Sequence, residues 1–228
     1  MIEQVIGNLS GIFWIFLLVI PLLFLKALLQ NPKVKGRIGE RAVRSVIGKD
    51  LDEETYIEFH DLIIPSRSGT TQIDHIYVSV FGIFVIETKN YTGWIFGSEK
   101  QSKWTQVVYK QKHYFQNPLR QNYAHIKALS ELLQLPEEKF HSMVVFLGDC
   151  ELKTQMPPNV CRIRQAASYI RRFQTTLLLP QEIEAATAVL SSNEYQADGE
   201  NRGRRPKALR EGHHGKITRK PNDLPAPK

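Results

Sequence analysis

Asp74, and beyond an apolar break Glu87 and Lys89, are the residues of this 228-residue chain whose types and spacing suit chemistry. They lie in the stretch QIDHIYVSVFGIFVIETKN, residues 72–90. Two apolar, β-branched runs flank Phe81-Gly82, a break suited to closing a hairpin. The second run, Gly82 to Ile86, is apolar on both faces, as a fully buried central strand requires, and it ends abruptly in Glu87-Thr88-Lys89. Strand side chains alternate, so Glu87 and Lys89 share one face and Thr88 takes the other. A two-residue turn at Phe81-Gly82 sets Asp74 opposite Lys89, whereas a four-residue loop from Ser79 to Gly82 sets it beside Glu87. Either keeps all three charges on one face. Two carboxylates and an ammonium at the end of a buried hairpin are costly unless they pair or hold a metal. Two readings follow: an ion-pair cap on a core strand, or a metal-dependent site at a strand end, where open α/β sheets place their chemistry.

The elements that must position these groups are legible on either side. A helix is expected from about Lys35 to Ile47, with Gly36, Gly39, Glu40, Val43, Val46 and Ile47 on one stripe. Glu40 then points inward with the apolar residues, either to a basic partner or to the Asp74 cluster as an accessory carboxylate. Thr55 to Ile64 reads as a strand ending at Pro65, and Ser66 to Thr71 as a polar turn. Gln72 shares the face of Asp74 at the mouth of the site, within reach of a phosphate or a bound water; His75 takes the opposite face as a packed or surface histidine. A further hairpin is expected from Asn90–Gly97 and Ser102–Lys112. Its Lys100, Lys103, Lys110 and Lys112 are interleaved with aromatic residues, a pattern that suits a nucleic-acid strand. Asn117-Pro118 opens a helix to about Gln134 that carries Gln121 toward the site rim. A strand at 140–147, a short one at 160–164 and helices at 166–173 and 180–191 complete an α/β body with a central mixed sheet flanked by helices.

The pieces Gly36-x-x-Gly39-Glu40, Gln72-Ile73-Asp74-His75, Gly82 to Lys89, Gly93, Trp104 and Asn117-Pro118-x-x-Gln121-Asn122 occur in that order across residues 36–150. Together they resemble the nuclease-related domain (NERD) family of the PD-(D/E)xK nuclease superfamily. The resemblance implies a restriction-endonuclease-like core and a substrate that is DNA rather than RNA. It also implies a catalytic set of Asp74, Glu87 and Lys89, with Glu40 accessory. Asp74, Glu87 and the Thr88 carbonyl are hard oxygen donors suited to Mg2+ or Mn2+. Lys89 would orient the attacking water and offset developing charge. The alternative is a catalytically silent nucleic-acid-binding or adaptor module that keeps the fold.

Residues 4–25 carry no charge and are long enough to cross a bilayer as one helix. Lys26, Lys33, Lys35, Arg37 and Arg41 follow the run and no basic residue precedes it, so a single-pass anchor in the cell (inner) membrane is expected, with the body in the cytoplasm. The two cysteines, Cys150 and Cys161, fit a reducing compartment and lack metal-ligand spacing, which argues against a structural zinc site. The expected organisation is an anchor at 1–31, a nuclease-related domain at 36–150, a strand and helices packed on it at 151–191, and a basic disordered tail at 192–228. That tail holds much of the net charge of +7, a feature suited to nucleic acid or anionic lipid.

Overall fold

The computed structural model describes residues 17–26 and 31–196. Its first long helix, α1 (Pro32–Asp50), starts at the Asn31-Pro32 pair and leads into the hairpin of β1 (Ile57–Ser66) and β2 (Gly69–Ser79). Next come β3 (Gly82–Asn90), β4 (Gly93–Phe96), β5 (Lys103–Val108) and β6 (Gln111–Gln116), then α2 (Pro118–Leu133) and β7 (Phe140–Leu147). The short strands β8 (Cys150–Leu152) and β9 (Val160–Arg162) precede α3 (Ile163–Ile170) and α4 (Pro180–Leu190).

The expected central mixed sheet flanked by helices is present, and a second sheet that was not expected packs against it. The first is five-stranded in the order β1-β2-β3-β7-β9, mixed, with β3 antiparallel to β2 and parallel to β7. The second is four-stranded, β6-β5-β4-β8. Its inner face sets Ile95 and Trp104 against Val144, Phe146 and Val160 of the first sheet. The expected strand from Ser102 to Lys112 breaks at Tyr109, whose backbone is left-handed (φ 55°), and the chain returns as β6. All but one residue of β6 are exposed, so no apolar alternation announced it.

β3 is buried on both sides because both faces of the first sheet are covered. Ile83 and Val85 pack with Ile126 and Leu129 of α2, while Phe84 and Ile86 pack with Val43 and Ile47 of α1. On α1 the expected stripe holds at Val43 and Ile47, but Val46 faces solvent. Gly39 is the glycine that lets the helix approach the sheet: a Cβ there would lie 3.0 Å from the Asn90 Cβ. At Gly36 the nearest such neighbour is the Glu40 side chain at 3.8 Å, so that position is not tight.

The β2–β3 turn falls at Val80-Phe81, one residue before the expected Phe81-Gly82. Ser79 pairs with Gly82, and the ladder continues to His75 with Ile86. Two features hold this register. The Ser79 hydroxyl accepts the Phe81 N–H at 3.1 Å. Gly82 has φ 119°, and a Cβ there would meet Lys139 O at 2.9 Å, so only glycine fits beside the start of β7.

Most of the expected membrane-spanning run lies outside the described residues. Residues 17–26 are helical and exposed, and among the described residues no helix is long and apolar enough to cross a membrane. The basic tail from 197 onward is likewise outside the described residues. Its expected start at Ser192 is too early, however. Tyr195 packs against the core and Gln196 bridges to Leu62 of β1.

Candidate active site

Extending the β2–β3 register by one pair sets Asp74 opposite Glu87, the second of the two registers expected. The regular ladder stops short of that pair, and the Asp74 side chain continues it: Oδ2 accepts the Thr88 N–H at 2.8 Å. Glu87 is 3% exposed and spends both oxygens. Oε1 accepts Lys89 Nζ at 2.6 Å and Oε2 meets His125 Nε2 at 3.2 Å. Lys89 Nζ also donates to Gln121 Oε1 at 3.0 Å. An ionised carboxylate only accepts, so His125 donates through Nε2; in a neutral ring Nδ1 then accepts the Thr71 hydroxyl, 2.9 Å away.

Helix α2 reaches this position through two buried asparagines. Asn117 caps it, its side chain accepting the Leu119 N–H at 2.9 Å while its amide donates to the carbonyls of Ser98, Glu99 and Gln101 in the β4–β5 loop. One turn on, the Asn122 amide donates to Val85 O at 2.8 Å and Met143 O at 3.1 Å. This straps α2 across β3 and β7, and the positions on either side, Gln121 and His125, meet Lys89 and Glu87.

Glu40 arrives from the other layer. Helix α1 covers the opposite face, but Asn90 ties its start to the end of β3 by donating to Lys35 O at 2.7 Å. From there the Glu40 carboxylate feels Asp61 and Glu87. Asp61 is an acid that sequence reasoning missed. It lies across from Asp74 in β1, between the pairs His60–His75 and Leu62–Ile73, with its backbone left-handed at φ 55°. Its carboxylate accepts the amide of Gln72, which is exposed. The available signal was an acid interrupting the alternation of Phe59-His60-Asp61-Leu62. His125 was on the correct helix face, but nothing local marked it as the partner of Glu87.

Electrostatics follow from this crowding. Burial, then Glu87, and less strongly Glu40, push the Asp74 carboxyl well above its ordinary range, against the pull of the Thr88 N–H and Lys89. Burial, then Asp61, raises Glu40. Burial also pushes Glu87 upward, but the hydrogen bonds and charges of His125 and Lys89 outweigh it and hold Glu87 below its usual value. The Thr88 hydroxyl is buried at the same strand end with no hydrogen-bond partner among the described residues.

Among the described residues, no three of His, Cys, Asp and Glu converge in a group ready to hold a metal. The expected ligand set joins two such side chains, Asp74 and Glu87, to a backbone oxygen, the Thr88 carbonyl. Of these, Glu87 is turned to Lys89 and His125, and one oxygen of Asp74 to the strand backbone. The donor chemistry nevertheless fits a hard divalent cation. Beyond the effect of burial, Glu87 and Glu40 each raise the pKa of Asp74, and Asp61 and Glu87 that of Glu40, so negative charge is crowded at Asp74 and Glu40. Lys100, Lys103, Lys110 and Lys112 stand apart from the cluster, all exposed on the second sheet and its loops.

Residues 35–147 match the family model of the nuclease-related domain. An uncharacterized protein of Bacillus anthracis is 48% identical over 125 residues, spanning 54% of this chain and 57% of that protein. The chain thus spans little more than half the length of the curated relative it matches. No solved structure matches it.

Proposed function

Because residues 35–147 form a nuclease-related domain, within the PD-(D/E)xK-like nucleases, we propose that this chain hydrolyses phosphodiester bonds in nucleic acid with a divalent metal. The observation that carries the reading is the meeting of Asp74, Glu87 and Lys89 at the end of the central strand, with Glu40 coupled to them from α1. The fold is read as a restriction-endonuclease-like core built on β1–β3 and β7.

Asp74, Glu87 and the Thr88 carbonyl would hold Mg2+ or Mn2+, with Glu40 accessory. When bound, the metal supplies an acidified water and neutralises charge on the phosphate. Hydrolysis forms a bond from a water oxygen to phosphorus and breaks the bond to the leaving oxygen, which takes up a proton. Lys89 would orient that water and offset charge developing on the phosphate. Gln121 shares the Lys89 ammonium with Glu87 and so fixes its direction. His125, held by Thr71, fixes Glu87 from the other side. DNA is the proposed substrate over RNA, a preference resting on the family alone. Residues 4–25 are proposed as a membrane anchor that leaves this domain in the cytoplasm; full-length protein recovered in the soluble fraction argues against it.

A silent binding or adaptor module is the second reading, favoured by Glu87 committing both oxygens to protein partners. Asp74→Asn separates the two. In a nuclease it abolishes cleavage in Mg2+ or Mn2+ and weakens calorimetric metal binding, while the melting temperature holds or rises as repulsion with Glu87 is relieved. EDTA and Lys89→Ala should also silence the wild-type reaction. A wild type that neither binds metal nor cleaves DNA or RNA leaves the cluster as an ion-pair cap.

A further inference from the structure

Among the described residues the outer face of the second sheet is unpartnered, and its composition is uneven. The strand registers align Glu151, Trp94, Val107 and Lys112 in one row across β8, β4, β5 and β6. The next row ends in Tyr114, opposite Thr105, and the row beyond it contains Lys103. All of these alternate away from Ile95 and Trp104, which face the core. Trp94 is 50% exposed and Tyr114 is 68% exposed, against 0% for Trp104 on the inner face. Lys153 extends over the Trp94 ring, 4.9 Å from its centroid, and pairs with Glu151 at 2.6 Å. Glu151 is the one acid in these rows, against Lys103, Lys112 and Lys153.

We propose that this face, with Trp94 and Tyr114 as its rings and Lys103, Lys112 and Lys153 as its charges, is a platform for single-stranded nucleic acid. Strand spacing and rise set the two rings about 12 Å apart, room for two bases of one strand to stack separately. A flat exposed ring takes the face of any base, and the lysines around the two rings take the phosphates. A duplex buries its base faces and offers only phosphates, so this surface favours single strands over duplex. Lys153 would move from the Trp94 ring to a phosphate when a base arrives. The inference rests on the nuclease reading for its substrate class, but the binding it describes needs no metal.

The test is fluorescence anisotropy with labelled oligothymidylate, oligouridylate and a duplex of equal length. The full chain is used in nonionic detergent with EDTA, so that no cleavage occurs. Single strands should bind more tightly than duplex, and the two single-strand arms decide DNA against RNA. Trp94→Ala and Tyr114→Ala should each weaken single-strand binding roughly 5- to 100-fold, with Trp94→Phe recovering most of the loss. Lys112→Gln and Lys153→Gln should flatten the salt dependence by about 0.7 in log–log slope per lost contact. Equal affinity for duplex, or ring variants that bind like wild type, would overturn the proposal. So would a Trp94-dependent dimer of the chain that has no oligonucleotide affinity. Trp94-dependent binding with no cleavage by the wild type sinks the nuclease reading and leaves the platform standing.

Discussion

Glu87 of β3 and His75 of β2 face opposite sides of the first sheet, and the two sides treat them in opposite ways. Glu87 enters a face that answers charge with charge: burial disfavours its carboxylate, but His125 and Lys89 bond both oxygens and hold its pKa below the usual value. His75 enters the α1 face, is 1% exposed, and makes no hydrogen bond through either ring nitrogen among the described residues. Burial, then His60 across the ladder and Arg44 behind it, drives its pKa down to about 3, so the ring is held neutral. The sheet thus separates a side that keeps charge in the interior, at Glu87, from one that removes it, at His75. The difference lies in the supply of partners, since burial alone penalises the charged form on both faces.

The largest break in this contrast is expected from Glu87→Gln. Lys89 and His125 lose their charged acceptor inside the protein, at a cost of about 3 kcal/mol, read as a lower urea midpoint with an unchanged denaturant slope. A loss below about 1 kcal/mol would show that the pair behaves as a surface ion pair.

On the other face the sign reverses. His75→Leu removes two unsatisfied nitrogens and should raise stability at neutral pH by about 1 kcal/mol. It should also change the response to acid. The unfolded imidazole takes a proton near 6.5, whereas the folded one waits until about 3. Between those values the unfolded state binds more protons, so the His75 contribution is complete above 6.5 and is lost as pH falls. The slope is at most about 1.4 kcal/mol per pH unit. Unfolding midpoints at pH 7, 5.5 and 4.5 should therefore fall less steeply in His75→Leu than in wild type. Parallel curves for the two proteins would mean that the folded ring takes its proton at an ordinary pH.

The smallest effect belongs to Thr71→Val, which removes the hydroxyl behind His125 and leaves the charged groups in place. A loss of about 1 kcal/mol is expected, with a lower cleavage rate and an unchanged affinity for the divalent metal. A wild-type rate would show that Glu87 needs no alignment through His125.

Much of the fold is legible in the sequence, and for local reasons. The apolar run from Gly82 to Ile86 could only be a strand covered on both faces, and Asn117-Pro118 could hardly avoid starting a helix, since one residue caps and the other has its φ preset. The second sheet was harder to see. Its β6 is exposed along nearly its whole length, and its turn at Tyr109-Lys110 lacks the glycine or asparagine that usually marks one.

At the site, alternation by itself put Asp74, Glu87 and Lys89 on one side of a hairpin, because a period of two depends on nothing beyond the strand. Which residue stands opposite Asp74 was a different kind of question. Two registers satisfied the same alternation, and the choice fell to Gly82, pressed against Lys139 O at the start of a strand far along the chain. The partners of Glu87 were likewise decided at a distance, when Asn122 strapped α2 over β3 and β7 and brought His125 and Gln121 into place. Asp61 and Glu40 reach the cluster from a neighbouring strand, left-handed at Asp61, and from the helix of the opposite layer. Sequence determined which charges share a face, because that is set by backbone geometry within one hairpin. Tertiary structure decided which of them pair and which are left to repel, because pairing is settled by elements that meet only when the layers close.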